Sequence, residues 1–176
     1  MMLEQGLVQV YTGNGKGKTT ASLGLALRAA GRKLKVCMIQ FMKGGGLYGE
    51  HLAAEKLFPY LTIHQTGRDG WVKKGDPHPD DLAQARFALD LAHNALACNE
   101  YDLVILDEIN GAAWFGLVSV DDILALMAAK PADVELVLTG RSADERVITA
   151  ADLVTEMREV KHYFQKGIAA RVGIEK

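Results

Sequence analysis

The sequence has no marked excess of charge of either sign. Its 20 lysines and arginines nearly balance its 22 aspartates and glutamates, which gives a formal net charge of −2 and a pI near 6.2. A protein that binds nucleic acid or an anionic membrane through its overall charge has a clear basic excess. We therefore expect no nucleic-acid or membrane partner, and any anion has to be bound at a local site.

Cysteine is scarce, and long apolar runs are absent. Cys37 and Cys98 are far apart and have no CxxC neighbour, so we predict that both are buried small side chains. No run approaches the roughly 20 apolar residues that a membrane-spanning helix needs. The first residues, MMLEQG, lack the basic and then apolar pattern of a secretion signal. We therefore expect a cytoplasmic protein.

What the sequence does contain is a regular alternation of strand-like and helix-like segments. Runs that are apolar on both faces predict buried strands, and periodic segments rich in Ala and Leu predict helices between them. The predicted strands are residues 6–12, 35–41, 61–66, 101–108, 134–140 and, more weakly, 153–160. This pattern predicts a single α/β domain over residues 1–176, with a mainly parallel sheet and helices on both faces.

Two helices and one loop have more specific signals. Pro79 predicts the start of a helix, and Ser119 with Asp122 predicts a capping box at the start of another. Residues 67–81 form the longest stretch without periodicity, which makes them a candidate functional loop. The apolar stripe of the first helix consists of Leu82, Ala85, Leu89, Ala92 and Leu96.

The segment GNGKGKTT, residues 13–20, indicates a phosphate-binding loop. It lies between a predicted strand and a predicted helix, where free backbone N–H groups and the positive helix end converge. The usual pattern, GxxxxGK[ST], places its first glycine at position 12, where this chain has a threonine followed by Gly13. A dinucleotide-binding loop fits less well, because lysines occupy two of its positions and the required acid is absent. We predict that Lys18 contacts phosphate, Lys16 adds positive charge and Thr19 binds Mg²⁺.

An acidic pair and an arginine are predicted at the same edge of the sheet. Asp107 and Glu108 end the apolar strand LVILDE, and Arg141 follows the strand VELVLTG. Ligands bind at the carboxyl ends of strands in open α/β sheets, so these residues predict a Mg²⁺ (or Mn²⁺) nucleotide site. The five histidines have no metal-ligand spacing. The residues alone leave the reaction open: a RecA-like ATPase or nucleotide-dependent regulator, a phosphotransferase and a nonenzymatic nucleotide-binding module remain alternatives.

Seven motifs follow one another over nearly the whole chain: VYTGNGKGKTT, QFMKG, GE at 49–50, TG…W at 66–71, LVILDEIN, LTGR and VKHYFQKGIAARVGIE. Together they closely resemble the ATP:corrinoid adenosyltransferases of the CobA/CobO/BtuR type. The resemblance implies a P-loop NTPase (RecA-like) domain. It also implies transfer of the 5′-deoxyadenosyl group of ATP to the Co(I) centre of a corrinoid, with release of triphosphate, in adenosylcobalamin biosynthesis or salvage. The acceptor, whether cob(I)yrinic acid a,c-diamide, cobinamide or cobalamin, stays open.

The resemblance further implies the role of each site residue. The loop backbone wraps the triphosphate, Lys16 and Lys18 neutralise it, and Glu108 is the metal-binding acid with Asp107 beside it as support. In this family the nucleotide is held in a reversed orientation, which is consistent with the compressed loop. The implied catalytic residues are Lys18 and Glu108, and the implied metal ligands are Thr19, Asp107 and Glu108. The implied ligand-binding residues are Gly13, Asn14, Gly15, Lys16, Gly17, Lys18, Thr19, Thr20, Trp71 and Arg141.

Trp71 is the residue that the resemblance implies for binding the corrinoid. The family has a GFTW stretch whose Phe and Trp press on the lower face of the corrin, whereas this chain reads TGRDGWV and has no matching Phe. The alternative is that the Trp71 ring anchors its loop to the sheet. The resemblance also implies a homodimer and a flavoprotein or other reductase that supplies Co(I).

Overall fold

The computed structural model of the chain describes residues 3–175, which contain six strands and six α-helices. The strands are β1 (Val8–Thr12), β2 (Val36–Gln40), β3 (Leu61–Gln65), β4 (Leu103–Asp107), β5 (Glu135–Thr139) and β6 (Leu153–Glu156). The helices are α1 (Lys18–Gly31), α2 (Gly49–Leu57), α3 (Pro79–Ala97), α4 (Ile109–Phe115), α5 (Val120–Ala129) and α6 (Glu145–Ala150), and a 3₁₀ turn covers Tyr163–Lys166. The strands form one parallel sheet in the order β3-β2-β4-β5-β1-β6. The predicted α/β architecture is therefore confirmed.

Apolar side chains pack on both faces of this sheet. On one face, α1 and α2 pack with Met38 and Ile105. On the other face, α3, α5 and α6 pack with Ile39 and Leu106. Successive side chains of a strand point to opposite faces, so a strand covered by helices on both sides has to be apolar throughout. This explains the continuous apolar runs in the sequence.

The strand order brings several loops together at one edge of the sheet. β1 lies between β5 and β6, whereas β2 lies between β3 and β4. The chain therefore passes two strands between β1 and β2, and the loop after β1 lies beside the ends of β4 and β5. In a parallel sheet all carboxyl ends share one edge, which is where open α/β sheets bind ligands.

The predicted starts of two helices are confirmed, but the prediction that Leu82 is buried in the apolar stripe of α3 is wrong. Pro79 begins α3, and the Ser119 side chain accepts a hydrogen bond from the backbone N–H of Asp122 at the start of α5. Leu82 is 43% exposed, although the other four residues of its predicted stripe are buried. The first turn of α3 instead buries Asp81, which pairs with Arg68 at 2.8 Å.

Two further local predictions are also corrected. Cys37 is buried as predicted, but Cys98 is exposed, because it caps the end of α3, where its thiol donates to the carbonyl of Ala95. The last strand ends at Glu156 rather than at residue 160. It ends there because the backbone of Met157 pairs with the glycine loop. Helices α4 and α6 were not predicted.

Within residues 3–175, no helix combines the length and the apolar character that crossing a bilayer requires.

Candidate active site

The glycines of the loop between β1 and α1 allow a close approach of backbone to backbone. Gly13 and Gly17 have φ values of 95° and 123°, a region that favours glycine. A Cβ atom on Gly13 or on Gly15 would lie 2.5 Å or 2.7 Å from the carbonyl oxygen of Met157. Gly15 N–H donates to that same oxygen at 2.7 Å, and Met157 N–H donates to the carbonyl of Thr12 at 2.8 Å. The compressed spacing of the loop thus fits its packing against the chain that leaves β6.

Lys18, the first residue of α1, turns its side chain back into this loop. Its buried ammonium donates to the carbonyl oxygens of Gly13 at 2.9 Å and Gly15 at 2.7 Å. Burial lowers the pKa of Lys18, and the nearby acids Glu108 and Asp107 oppose that shift. The ammonium therefore lies at the centre of the loop, at the wall of the cavity described below.

Asp107, the last residue of β4, connects four elements of the site. Its side chain is fully buried. Oδ1 accepts hydrogen bonds from the hydroxyls of Thr19 at 2.9 Å and Thr139 at 2.7 Å. Oδ2 lies 2.8 Å from the ammonium of Lys43. One carboxylate at the end of β4 therefore joins the start of α1, the end of β5 and the segment after β2.

Glu108 follows in a left-handed backbone conformation, with φ 63° and ψ 15°. Its N–H donates to the Thr139 hydroxyl at 2.9 Å, and its side chain lines the cavity. Burial, with the neighbouring charge of Asp107, raises the pKa of Glu108, although Lys18 and other nearby cations act in the opposite direction. Strained backbone conformations of this kind cost about 1–3 kcal/mol and cluster at functional sites.

A cavity of about 690 Å³ opens at this edge of the sheet. Small-molecule sites have volumes of about 300–1,000 Å³. Four cationic side chains line it: Lys16, Lys18, Lys43 and Arg141. Apolar side chains of α1, α2 and β3 also contribute: Leu23, Leu27, Ala53, Leu57 and Leu61. Three carboxylates, those of Glu50, Glu108 and Glu175, line it as well. The cavity therefore has cations that can contact an anionic part of a ligand and an apolar wall for an apolar or aromatic part.

The C-terminal segment, residues 157–175, closes part of the cavity. Its Glu175 pairs with Lys16 of the glycine loop at 3.5 Å and accepts hydrogen bonds from Arg171 and from the Tyr163 hydroxyl. The Glu159 N–H donates to the Asn14 side chain at 3.1 Å. The last motif of the sequence therefore folds back onto the first.

The structure brings most of the predicted site residues to this cavity. Gly15, Lys16, Gly17, Lys18, Thr19, Thr20, Glu108 and Arg141 line it. Asp107 lies behind Thr19. Trp71 is not among the lining residues, and its ring is 96% exposed. The alternative that the Trp71 ring anchors its loop to the sheet is therefore wrong.

Sequence reasoning missed Lys43, Thr139, Glu50 and the C-terminal segment as parts of the site. Lys43 and Thr139 each lie at or just after the carboxyl end of a predicted strand, which is a signal that points to them. The contact of Glu175 with Lys16 joins residues far apart in sequence, and no local pattern indicates it.

The acidic residues near the cavity bear on metal binding. Within residues 3–175, no group of three or more His, Cys, Asp and Glu side chains is arranged to hold a metal ion. Mg²⁺ is often bound by one or two carboxylates together with substrate phosphates and water. The Glu108 carboxylate and the Thr19 hydroxyl, beside the glycine loop, fit a metal ion whose other ligands would be phosphate oxygens and water.

Comparison with known proteins assigns the chain to a family. A family model described as ATP:corrinoid adenosyltransferase BtuR/CobO/CobP matches residues 4–175. The chain is 39% identical to the corrinoid adenosyltransferase of Pseudomonas aeruginosa over 172 residues, which cover 98% of this chain and 84% of that protein. The chain belongs to the ATP:corrinoid adenosyltransferase family. It is also 37% identical to a corrinoid adenosyltransferase of a Sinorhizobium species and 34% identical to that of Escherichia coli K12, over 98% of this chain and 81% and 86% of those proteins.

For this member of the adenosyltransferase family, we predict that Gly15→Ala lowers the free energy of unfolding by about 1–3 kcal/mol, because the added methyl overpacks against the Met157 backbone. The measurement is urea unfolding followed by circular dichroism. Gly31→Ala is the matched control, since nothing lies within 4 Å of a Cβ at that position. Equal stability of the Gly15→Ala variant and the control would contradict the close-approach explanation.

A second prediction follows from the raised pKa of Glu108. In nucleotide-free and metal-free protein, Glu108→Gln should increase the free energy of unfolding at neutral pH. Well below the ordinary pKa of 4.5, the carboxyl is protonated in both states and the variant gains nothing. As pH rises above 4.5, the unfolded chain ionises freely while the folded chain resists ionisation, so the gain should appear and grow until the raised folded pKa is passed.

Urea unfolding over a pH series measures this gain. Glu55→Gln, an exposed glutamate of α2, is the control and should show no comparable pH-dependent gain. A Glu108→Gln protein that is less stable than the parent at neutral pH would overturn the prediction.

Proposed function

We propose that the chain transfers the 5′-deoxyadenosyl group of ATP to the Co(I) centre of a corrinoid and releases intact triphosphate. The Co(I) electron pair forms the Co–C5′ bond, the C5′–O5′ bond breaks, and O5′ leaves with the triphosphate. One observation carries the proposal: the glycine loop and four cationic side chains converge on a single nucleotide-sized cavity in a member of this family. The protein acts in adenosylcobalamin biosynthesis or salvage.

The cationic side chains stabilise the leaving group. Negative charge moves onto the triphosphate as C5′–O5′ breaks, and preorganised cations and N–H donors lower the barrier at such a place. In this proposal Lys16 and Lys18 neutralise phosphate oxygens, the backbone of residues 13–18 wraps them, and Thr20 and Arg141 contribute further contacts. The left-handed and close-packed geometry of the loop supports these roles, because it holds the loop backbone in one conformation.

A divalent cation, Mg²⁺ or Mn²⁺, is part of the proposal. Glu108 and the Thr19 hydroxyl hold it, and Asp107 supports both by its hydrogen bond to Thr19 and its position next to Glu108. When bound, the metal supplies positive charge to the phosphates. The charge balance supports this: the three lining carboxylates and Asp107 offset the four lining cations, so a triphosphate needs additional positive charge.

The corrinoid is proposed to meet the exposed ring of Trp71. A corrin is a large, flat macrocycle, and a ring that is 96% exposed is available to pack against it. In the proposal, this contact helps to displace the lower axial ligand and makes Co(II) easier to reduce. A flavoprotein or other reductase supplies the electron, and the chain acts as a single domain in a cytoplasmic homodimer.

We predict that Lys18→Ala lowers turnover about a hundredfold, equivalent to roughly 3 kcal/mol, which is the typical effect of losing one preorganised donor. The assay supplies ATP, Mg²⁺ and chemically reduced cobalamin, follows the Co–C bond by visible absorbance and separates the phosphate products. Wild-type protein should release triphosphate. Lys35→Ala, an exposed lysine just before β2, is the control and should retain full activity.

Two results would count against the proposal. Release of ADP and phosphate at the rate of turnover, with no adenosylated corrin, would replace the transferase by an ATPase or a phosphotransferase. Wild-type turnover by Lys18→Ala at subsaturating ATP would mean that the loop does not bind the leaving group.

We also predict that Trp71→Ala impairs turnover from Co(II)alamin with a weak reductant far more than turnover from preformed Co(I). The reason is that the ring acts on the reduction step, by favouring a four-coordinate Co(II) with less electron density on the metal. Electron paramagnetic resonance should show less four-coordinate Co(II) in the variant with ATP present. Phe87→Ala, a half-exposed aromatic residue of α3, is the control. Equal losses with both cobalt states would indicate collapse of the loop, and no loss would remove Trp71 from the corrinoid site.

A further inference from the structure

Lys43 has a fixed backbone position at the edge of the cavity. It lies three residues after β2, and its N–H donates to the carbonyl of Thr66 at 2.8 Å. A Cβ atom on Gly67 would lie 2.7 Å from this nitrogen, so the two segments are in close contact. The Lys43 side chain is only 19% exposed and lines the same cavity as Lys18 and Arg141. The segment after β2 therefore supplies a cation, Lys43, to the cavity in addition to the lysines of the glycine loop.

Two carboxylates and one ring surround the Lys43 ammonium. Asp107 Oδ2 lies at 2.8 Å, Glu50 Oε1 at 3.6 Å, and the centroid of the Tyr48 ring at 5.7 Å. An ammonium group has three N–H donors. Among residues 3–175, Asp107 Oδ2 is the only carboxylate oxygen that lies within 3.5 Å of this one. Since Lys43 lines the cavity, its remaining donors are available to a ligand there.

A partly buried polar network holds Glu50 beside Lys43. Gln40, at the end of β2, is fully buried and donates from Nε2 to Glu50 Oε1 at 3.0 Å. His51 Nδ1 accepts from the N–H of Tyr48 at 2.9 Å, so the neutral ring carries its proton on Nε2 and donates it to Gln40 Oε1 at 2.9 Å. Hydrogen bonds connected in this way restrict the positions of the side chains. It connects the two sequence motifs QFMKG and GE.

We propose that Lys43 is a further catalytic residue, which contacts the triphosphate of ATP directly, and that Glu50 and Gln40 are positioning residues for it. Lys43 alone is enough to balance the buried charge of Asp107. That role does not explain why Glu50 also lies beside the ammonium, or why the buried Gln40 holds Glu50 there. Attraction to Asp107 and Glu50 outweighs burial and keeps the pKa of Lys43 raised, so the side chain remains a cation. As the C5′–O5′ bond breaks, Lys43 stabilises the charge that moves onto the phosphate oxygens. The inference rests on the proposed function in taking triphosphate as the anion.

The test measures binding of inorganic tripolyphosphate by titration calorimetry, in EDTA and without corrinoid. Lys43→Met should weaken binding about tenfold or more, the usual effect of losing a charge-assisted hydrogen bond, and should reduce the dependence of affinity on salt. Lys35→Met, the exposed lysine before β2, should bind like the parent protein. Unchanged affinity in Lys43→Met would overturn the proposal.

The Asp107→Asn background separates direct contact from charge balance. Once the buried carboxylate is neutral, Lys43→Met no longer leaves an unpaired charge, which also makes the double variant the safer protein to fold. If Lys43 contacts phosphate, Asp107→Asn/Lys43→Met should bind tripolyphosphate about tenfold more weakly than Asp107→Asn alone. Equal binding by these two proteins would show that Lys43 serves only as the counter-ion of Asp107.

Glu50→Asp tests the positioning role without a change of charge. The shorter carboxylate moves away from Gln40 and Lys43, so binding should weaken severalfold in the parent protein but not in the Lys43→Met protein. The same loss in both would contradict positioning through Lys43. These binding measurements contain no corrinoid and so do not depend on the transfer reaction. Formation of ADP and phosphate in the turnover assay would contradict the proposed function. The affinity for tripolyphosphate tests only the role of Lys43.

Discussion

Asp107 is the group on which the arrangement of the site depends, because a fully buried carboxylate must be paired or hydrogen-bonded to be tolerated. Its three partners come from different parts of the chain: Thr19 from α1, Thr139 from β5 and Lys43 from the segment after β2. Each contact is possible only if the strand order β2-β4-β5-β1 is correct. Removing one partner of such a group typically costs several kcal/mol. The pairing of Asp107 therefore links the fold of the sheet to the geometry of the nucleotide site.

The glycine loop and the C-terminal segment form one structural unit. Met157 bonds to Gly15 and Thr12, Glu159 bonds to Asn14, and Glu175 pairs with Lys16. These contacts explain why small residues stand at positions 13 and 15, where a side chain would meet the Met157 carbonyl. The C-terminal segment therefore restricts which residues the loop can have at positions 13 and 15.

The sequence was most informative where the signal is local. Apolar runs predicted the first five strands and a weaker alternating pattern the sixth. The residues at the carboxyl end of β4, Asp107 and Glu108, were assigned to the correct edge of the sheet. The errors have a physical cause in each case. Cys98 and Leu82 lie at the two ends of α3, where burial depends on what packs beside the helix rather than on periodicity. Helix α4 starts from a left-handed Glu108, which no propensity predicts. The contacts of Lys43 and Glu175 are long-range and can be found only after the fold is known.

The two halves of the site have different physical requirements, and the structure reflects the difference. A leaving triphosphate is small and highly charged, so it is best stabilised by donors that are fixed before the reaction. Lys18, Lys43 and the loop backbone are held in this way by buried hydrogen bonds and ion pairs. A corrinoid is broad, flat and mostly apolar on its faces, so it needs an accessible surface more than an enclosed pocket. Trp71, exposed on a long irregular loop, offers such a surface without a buried partner to constrain it. In the proposed reaction, these fixed donors would set the position of the triphosphate, and Trp71 would remain open to the corrin.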